Sequence, residues 1–91
     1  MSNLIYEGVV IDKTPRDSYT DINKTMHDFC EIVVQSEEEY PQRLCITLID
    51  DKCANAPEIN QRVRCYLKCK AGKSELGKWF NHIKAWKVDA V

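Results

Sequence analysis

From Arg62 to Lys70 the chain alternates without interruption. Val63, Cys65, Leu67 and Cys69 fall on one side, and Arg64, Tyr66, Lys68 and Lys70 on the other. A period of two is the signature of a half-buried strand, because successive side chains leave the backbone on opposite faces. A helix would scatter the same residues around its circumference. The stretch therefore belongs to a sheet with one dry and one wet face.

Four further segments carry strand character. Leu4–Asp12 is rich in β-branched residues. His27–Gln35 sets Cys30, Ile32 and Val34 against Phe29, Glu31 and Val33. Tyr40–Ile49 sets Leu44, Ile46 and Leu48 against Arg43, Cys45 and Thr47, and Lys78–Val88 closes the series. The connections are polar. Lys13–Met26 reads as a long loop, Ser36–Glu39 as a tight acidic turn and Ala71–Gly77 as a hairpin loop. Asp51–Asn60 has room for a short helix, with Asp50 or Asp51 as its cap and Pro57 as its stop. Five strands in this order, with a short helix between the third and fourth, give an all-β chain with the layout of the oligonucleotide/oligosaccharide-binding (OB) fold, a five-stranded Greek-key barrel. Gly8 suits the bend that a small barrel needs in its first strand. An SH3-like barrel is the main competitor, and the long first loop and mid-chain helix weigh against it.

The 91 residues suffice for a single domain, residues 1–91. The 44% hydrophobic and 30% charged content suits a globular protein and excludes a disordered one. No basic n-region precedes the apolar run Leu4–Ile11, and no segment approaches the roughly 20 apolar residues of a membrane span, so a cytoplasmic location is expected. The five cysteines, Cys30, Cys45, Cys53, Cys65 and Cys69, are an odd set inside largely apolar patterns. They read as buried reduced thiols and not as a disulfide framework. A zinc site would need Cys65 and Cys69 on a tight knuckle with His27 or His82, and no glycine is placed to make one. There is no glycine-rich phosphate loop and no Ser/His/Asp set, so neither an enzyme nor a cofactor-binding protein is expected.

Charge is unevenly spread. Residues 1–58 hold five Lys/Arg against twelve Asp/Glu, whereas residues 59–91 hold eight against two. Such polarity predicts one surface that attracts anions, unless neighbouring strands neutralise each other. Sequence-tolerant binding of single strands needs a basic groove for the phosphates and aromatic faces for the bases. Arg64, Tyr66, Lys68 and Lys70 share one face of the fourth predicted strand, and Lys73 and Lys78 flank the following hairpin. In the last strand Trp79, Asn81, Ile83, Ala85 and Lys87 alternate with Phe80, His82, Lys84, Trp86 and Val88. The first set holds the small apolar residues and is assigned to the interior, so Phe80, His82, Lys84 and Trp86 face outward as a stacking platform. Tyr19, Arg16, Tyr40 and Arg43 are weaker candidates.

The ending Gly77-Lys78-Trp79-Phe80-Asn81-His82-Ile83-Lys84-Ala85-Trp86-Lys87-Val88, with Asp28-Phe29-Cys30-Glu31-Ile32-Val33-Val34 and the turn Tyr40-Pro41-Gln42, resembles a family of small, largely uncharacterised bacterial and phage domains. That family is similar to single-stranded DNA-binding proteins. The resemblance implies an OB-fold and single-stranded DNA, or RNA, as the partner, in replication, recombination or repair. It departs at Lys68-Cys69-Lys70-Ala71-Gly72-Lys73-Ser74, where the family tends to a glycine-arginine stretch. Lysine keeps the charge there but lacks the planar stacking group of arginine. Recruitment of partners through an acidic tail of the bacterial single-strand-binding type is not expected. A protein-interaction module on the same barrel is the competing reading, with Glu37-Glu38-Glu39 and an apolar edge as its features. Exposed strand edges also predict a homodimer or higher homo-oligomer.

Overall fold

A computed structural model describes residues 4–91. The strands are β1 (Leu4–Lys13), β2 (Asp17–Thr20), β3 (Met26–Gln35), β4 (Arg43–Ile49), β5 (Arg62–Lys73) and β6 (Trp79–Ala90), with a single turn of helix, α1 (Asp51–Ala54), after β4. They form one sheet in the order β1-β5-β6-β4-β3-β2, and β1 also pairs with β3. That second pairing closes the sheet into a barrel. The all-β expectation and the Greek-key OB layout are what the structure shows, including the helical turn between the third and fourth barrel strands.

The period-2 faces turn inward as read. Val10, Ile32, Val34, Ile46, Leu48, Val63 and Cys65 are fully buried, and Cys30, Cys53, Leu67 and Ala85 complete the core. Each such large side chain contributes about 1.5–3 kcal/mol on leaving water. The exposed ion pairs contribute about 0–1 kcal/mol each, so burial dominates.

Closure depends on Gly8. Strand β1 pairs with β5 from Leu4 to Val9 and with β3 from Val9 to Lys13, so it changes partner just after Gly8. A Cβ at Gly8 would lie inside the van der Waals shell of the Gln35 carbonyl, 2.7 Å from its carbon and 3.0 Å from a Val34 methyl. A register shift between Val10 and Asp12 then bends the strand across the barrel.

The structure corrects several expectations. The long first loop contains a sixth strand, β2, which pairs with Met26–Phe29. All four of its residues are exposed, so it lacks the buried face that produces alternation. The third barrel strand begins at Arg43 and not at Tyr40, because Ser36 and Gln42 close the preceding loop through Ser36 N–H to Gln42 O (2.9 Å) and Gln42 N–H to Ser36 Oγ (2.9 Å). The last two strands run on through Lys73 and from Trp79, and the turn shrinks to Ser74–Lys78, with Gly77 at φ +81°. Asp50 does not cap α1 with its side chain; its carboxylate accepts from His27 Nδ1 (2.9 Å) and the Asp28 N–H (3.2 Å) instead. Val88 faces inward because a bulge at Trp86 shifts the β5–β6 register, pairing Cys65 with Val88 and Leu67 with Ala85. Trp79, assigned to the interior, is 70% exposed, since β5 and β6 outrun the barrel as a two-stranded arm. The same overrun exposes Cys69, and Cys45 lies on the outer face.

Gly8→Ala is expected to lower stability by about 1–3 kcal/mol, because the new methyl meets backbone that cannot move aside. Gly72→Ala would meet only the Phe80 ring, 2.6 Å from its tip, which can swing into solvent. Urea unfolding midpoints of the two variants therefore separate, with Gly8→Ala the lower.

Candidate nucleic-acid interface

Outward residues of five strands make one continuous face. In sheet order it carries Tyr19 on β2, Phe29 on β3, Thr47 and Ile49 on β4, Lys84 and Trp86 on β6, and Tyr66, Lys68 and Lys70 on β5. Its middle is cationic. Lys68 lies directly opposite Lys84 and Lys70 directly opposite His82. Like charges facing across strands are destabilising, so this ladder works against the fold that carries it. Among the described residues, Lys68, Lys70, Lys73, Lys78 and Lys84 make no ion pair.

Arg64 stands apart from the lysines it was grouped with. Its Nε donates to Glu7 Oε1 at 2.6 Å, across the β1–β5 pairing. Arg62 is held by Glu37 in the same way, at 2.6 Å. The charge polarity of the sequence thus resolves in two parts. The base of β5 is neutralised by the acidic first half of the chain, and the arm and upper face are not.

The aromatic residues fall into three settings. Tyr66 and Trp86 pair across β5 and β6 with centroids 5.4 Å apart and planes tilted by 50°, and Lys87 Nζ sits 5.1 Å from the Tyr66 centroid. The bulge turns both Trp86 and Lys87 outward, which brings this aromatic pair and its cation together. Trp86 also lines a cavity of about 300 Å³ with Lys52, Lys68, Lys84, Asp50 and Asp51. Phe80 folds over Gly72 on the opposing strand and remains half exposed. Trp79 occupies the reverse side of the arm, with Lys73 Nζ 5.7 Å from its ring centroid.

Tyr19, a weaker candidate in the sequence, belongs to a further aromatic group that the sequence does not assemble. Tyr19 packs edge-on against Phe29 at 5.7 Å and tilted against His27 at 5.3 Å. The pairing of β2 with β3 assembles it, so its signal lay in a strand that sequence periodicity does not reveal. His82 joins this group: its Nε2 is 3.2 Å from Thr47 Oγ1. The hairpin bearing Tyr19 is fastened by His27, whose Nε2 and Nδ1 lie 2.7 Å and 2.9 Å from Asp21 and Asp50. Hydrogen bonds to Asp21 first and Asp50 second raise the His27 pKa above its ordinary 6.5. Those bonds, with backbone donors led by Thr25 at Asp21, lower both carboxyls below 3.8. Of the weaker candidates, Arg16 is paired with Asp28 at 2.7 Å, Arg43 donates to Gln35 at 3.0 Å, and Tyr40 stands free at 76% exposure.

The five cysteines are unbridged. Burial pushes the Cys65 thiol up to about 11, and burial together with Cys53 does the same for Cys30. Such thiols are poor nucleophiles and poor ligands. Among the described residues no cluster of three or more His, Cys, Asp or Glu is placed to hold a metal ion, and no helix is long and apolar enough to cross a membrane.

Comparison with known proteins agrees with this architecture. The family model described as "Domain of unknown function (DUF3127)" matches residues 6–89, and the chain belongs to that family. No curated protein matches. Among solved structures the chain is similar to the wild-type single-stranded DNA binding protein from Thermus aquaticus, with a TM-score of 0.68 at 11% identity. The match covers 100% of this chain and 52% of that one, so the chain spans about half the length of the protein it resembles. At that identity the likeness concerns the fold.

The Asp21–His27–Asp50 clamp makes stability depend on pH in a defined direction. A raised histidine pKa stabilises the fold fully below 6.5, and the benefit disappears as pH rises through the raised value. The two lowered carboxyls contribute above 3.8 and lose their effect as pH falls through their lowered values. His27→Gln should therefore cost most stability near about pH 5–6 and least near about pH 9, when urea unfolding of variant and wild type is compared at both.

Proposed function

We propose that this member of the family is a binding protein for single-stranded nucleic acid, with single-stranded DNA as its first ligand. The observation that carries this reading is the unpaired lysine ladder, Lys68, Lys84 and Lys70, set beside the half-buried Tyr66 and the exposed Trp86 that packs on it. Lysines that repel one another gain a counterpart when phosphates run between them, and each phosphate contact releases condensed cations. Tyr66, Trp86 and Phe80 offer π-faces that accept any base, so binding is tolerant of sequence.

The OB fold supports the same reading. Ligands of this fold lie across the face of its second and third strands, between the first loop and the last hairpin. Here these are β3 and β4, the β2 hairpin and the β5–β6 arm, the elements that build the cationic and aromatic face. The solved relative is named for binding single-stranded DNA. No catalytic role is assigned to any residue, and a place in replication, recombination or repair follows from the ligand.

Self-association is proposed through β1. Its Leu4–Gly8 half pairs on one side with β5 alone, and Leu4 and Ile5 are about half exposed there. A second copy adding to this edge would cover both residues and the open backbone groups. Light scattering after size exclusion should give a multiple of the 10.6 kDa chain mass; a monomer mass alone would refute this.

Fluorescence anisotropy with a labelled oligo-dT of about 30 nucleotides tests the main proposal, since one OB fold occupies about 4–16. Binding should weaken with salt, at a log–log slope of about −0.7 per phosphate contacted, and Lys68→Ala or Lys84→Ala should each flatten that slope by about 0.7. Trp86→Ala should cost about 1–3 kcal/mol with the slope unchanged. Arg64→Ala, already satisfied by Glu7, should leave the slope as it is. Absence of binding at low salt would exclude the proposal and leave a protein-interaction module on the same barrel.

A further inference from the structure

Beside the lysine ladder the outer face holds a second cavity, of about 230 Å³, lined by Tyr19, Phe29, Thr47, Ile49 and His82. Tyr19, Phe29 and Ile49 make an apolar wall. Two polar groups face each other inside it, Thr47 Oγ1 and His82 Nε2, 3.2 Å apart. Thr47 is 8% exposed and is the one buried polar residue among the described residues. A threonine hydroxyl offers one proton and two lone pairs, so a single bond to His82 leaves it with capacity unused. Spare hydrogen-bonding capacity on a buried threonine in an otherwise apolar wall marks a place where a ligand edge can be read.

The size and setting of the cavity indicate what fits. Pockets for drug-sized molecules measure about 300–1,000 Å³. This one is smaller and suits a single flat ring system. Ile49 also lines the neighbouring cavity of Lys68, Lys84 and Trp86, so the two are adjacent across β4 and β6. Thr47 pairs with Lys84 and His82 with Lys70, so a strand whose phosphates follow the lysines runs beside the pocket.

We propose that this pocket takes one nucleobase of the bound strand, which packs against the apolar wall of Tyr19, Phe29 and Ile49 and sets its edge against Thr47 and His82. The proposal rests on the reading of this face as a single-strand interface and adds a base preference at one position of a tolerant footprint. Stacking alone accepts every base. The Thr47–His82 pair does not, because a mismatched edge leaves the buried Thr47 hydroxyl without a second partner.

Competition anisotropy with oligo-dT, oligo-dC and oligo-dA of equal length, about 20 nucleotides, tests it. Wild-type affinities should span at least about fivefold between the best and worst homopolymer, the low end of what one hydrogen-bonded base edge discriminates. Thr47→Val keeps the shape and strand preference of the side chain and removes the hydroxyl. It should bring the three affinities within about twofold while the salt slope stays the same. Phe29→Leu should weaken all three and the preferred one most. Thermal melts of both variants establish that they fold. Equal wild-type affinities, or a preference that survives Thr47→Val, would overturn the pocket while leaving the interface standing. No binding of any homopolymer at low salt would overturn the interface and the pocket together.

Discussion

Everything on the outer face depends on how β1 is shared. One strand serves as the partner of β5 through its first half and of β3 through its second, and the exchange occurs where Gly8 lies against the Gln35 carbonyl. That contact fixes the barrel radius. It draws β3 and β4 round until Thr47 on β4 meets Lys84 on β6 in the single parallel pairing of the sheet. A side chain at Gly8 would press on that backbone and weaken the closure that brings Tyr19, Phe29 and His82 round to the face of Trp86 and the lysines.

Within that frame the chain divides its charges by position. The acidic first half is spent where it meets the base of β5, on Arg62 and Arg64, and on the clamp at His27. None of it reaches Lys68, Lys70 or Lys84 as an ion pair among the described residues. A stability-driven sheet would place a carboxylate opposite Lys68; this one places Lys84. The barrel core, with its fully buried Ile32, Ile46 and Leu48, readily outweighs the local repulsion, since burial of one such side chain exceeds the effect of an exposed charge pair.

Legibility in the sequence followed burial. Strands β3, β4 and β5 each bury one face for most of their length, and their period of two groups Cys30, Ile32 and Val34, Ile46 and Leu48, and Val63, Cys65 and Leu67 on the faces that form the core. Where a strand leaves the core, periodicity loses its meaning. The arm beyond Leu67 keeps alternating, yet both its faces are wet, so Trp79 and Cys69 were assigned to an interior that ends before them. The Trp86 bulge reversed the phase of the last strand, which no count of alternating residues detects, and so misplaced Val88. The outward set Phe80, His82, Lys84 and Trp86 precedes or includes the bulge and was read correctly as a face. Strand β2 exists through pairing alone, with no buried side chain, so the sequence marks Tyr19 and His82 as separate candidates and does not show that they share a face with Phe29 and Thr47. Arg64 was grouped with the lysines because charge is legible in sequence and its partner, Glu7 on a distant strand, is not.

The central claim is that single strands lie on the face built by β2, β3, β4, β6 and β5. The most direct measurement is a titration of ¹⁵N-labelled protein with unlabelled oligo-dT, followed residue by residue in the amide spectrum. The account predicts shifts concentrated at Tyr19, Phe29, Thr47, Tyr66, Lys68, Lys84 and Trp86, with the base of β5 and its β1 partner, at Arg62 and Glu7, unmoved. Shifts centred on Glu7 and Arg62, or no shifts at saturating oligonucleotide, would contradict it.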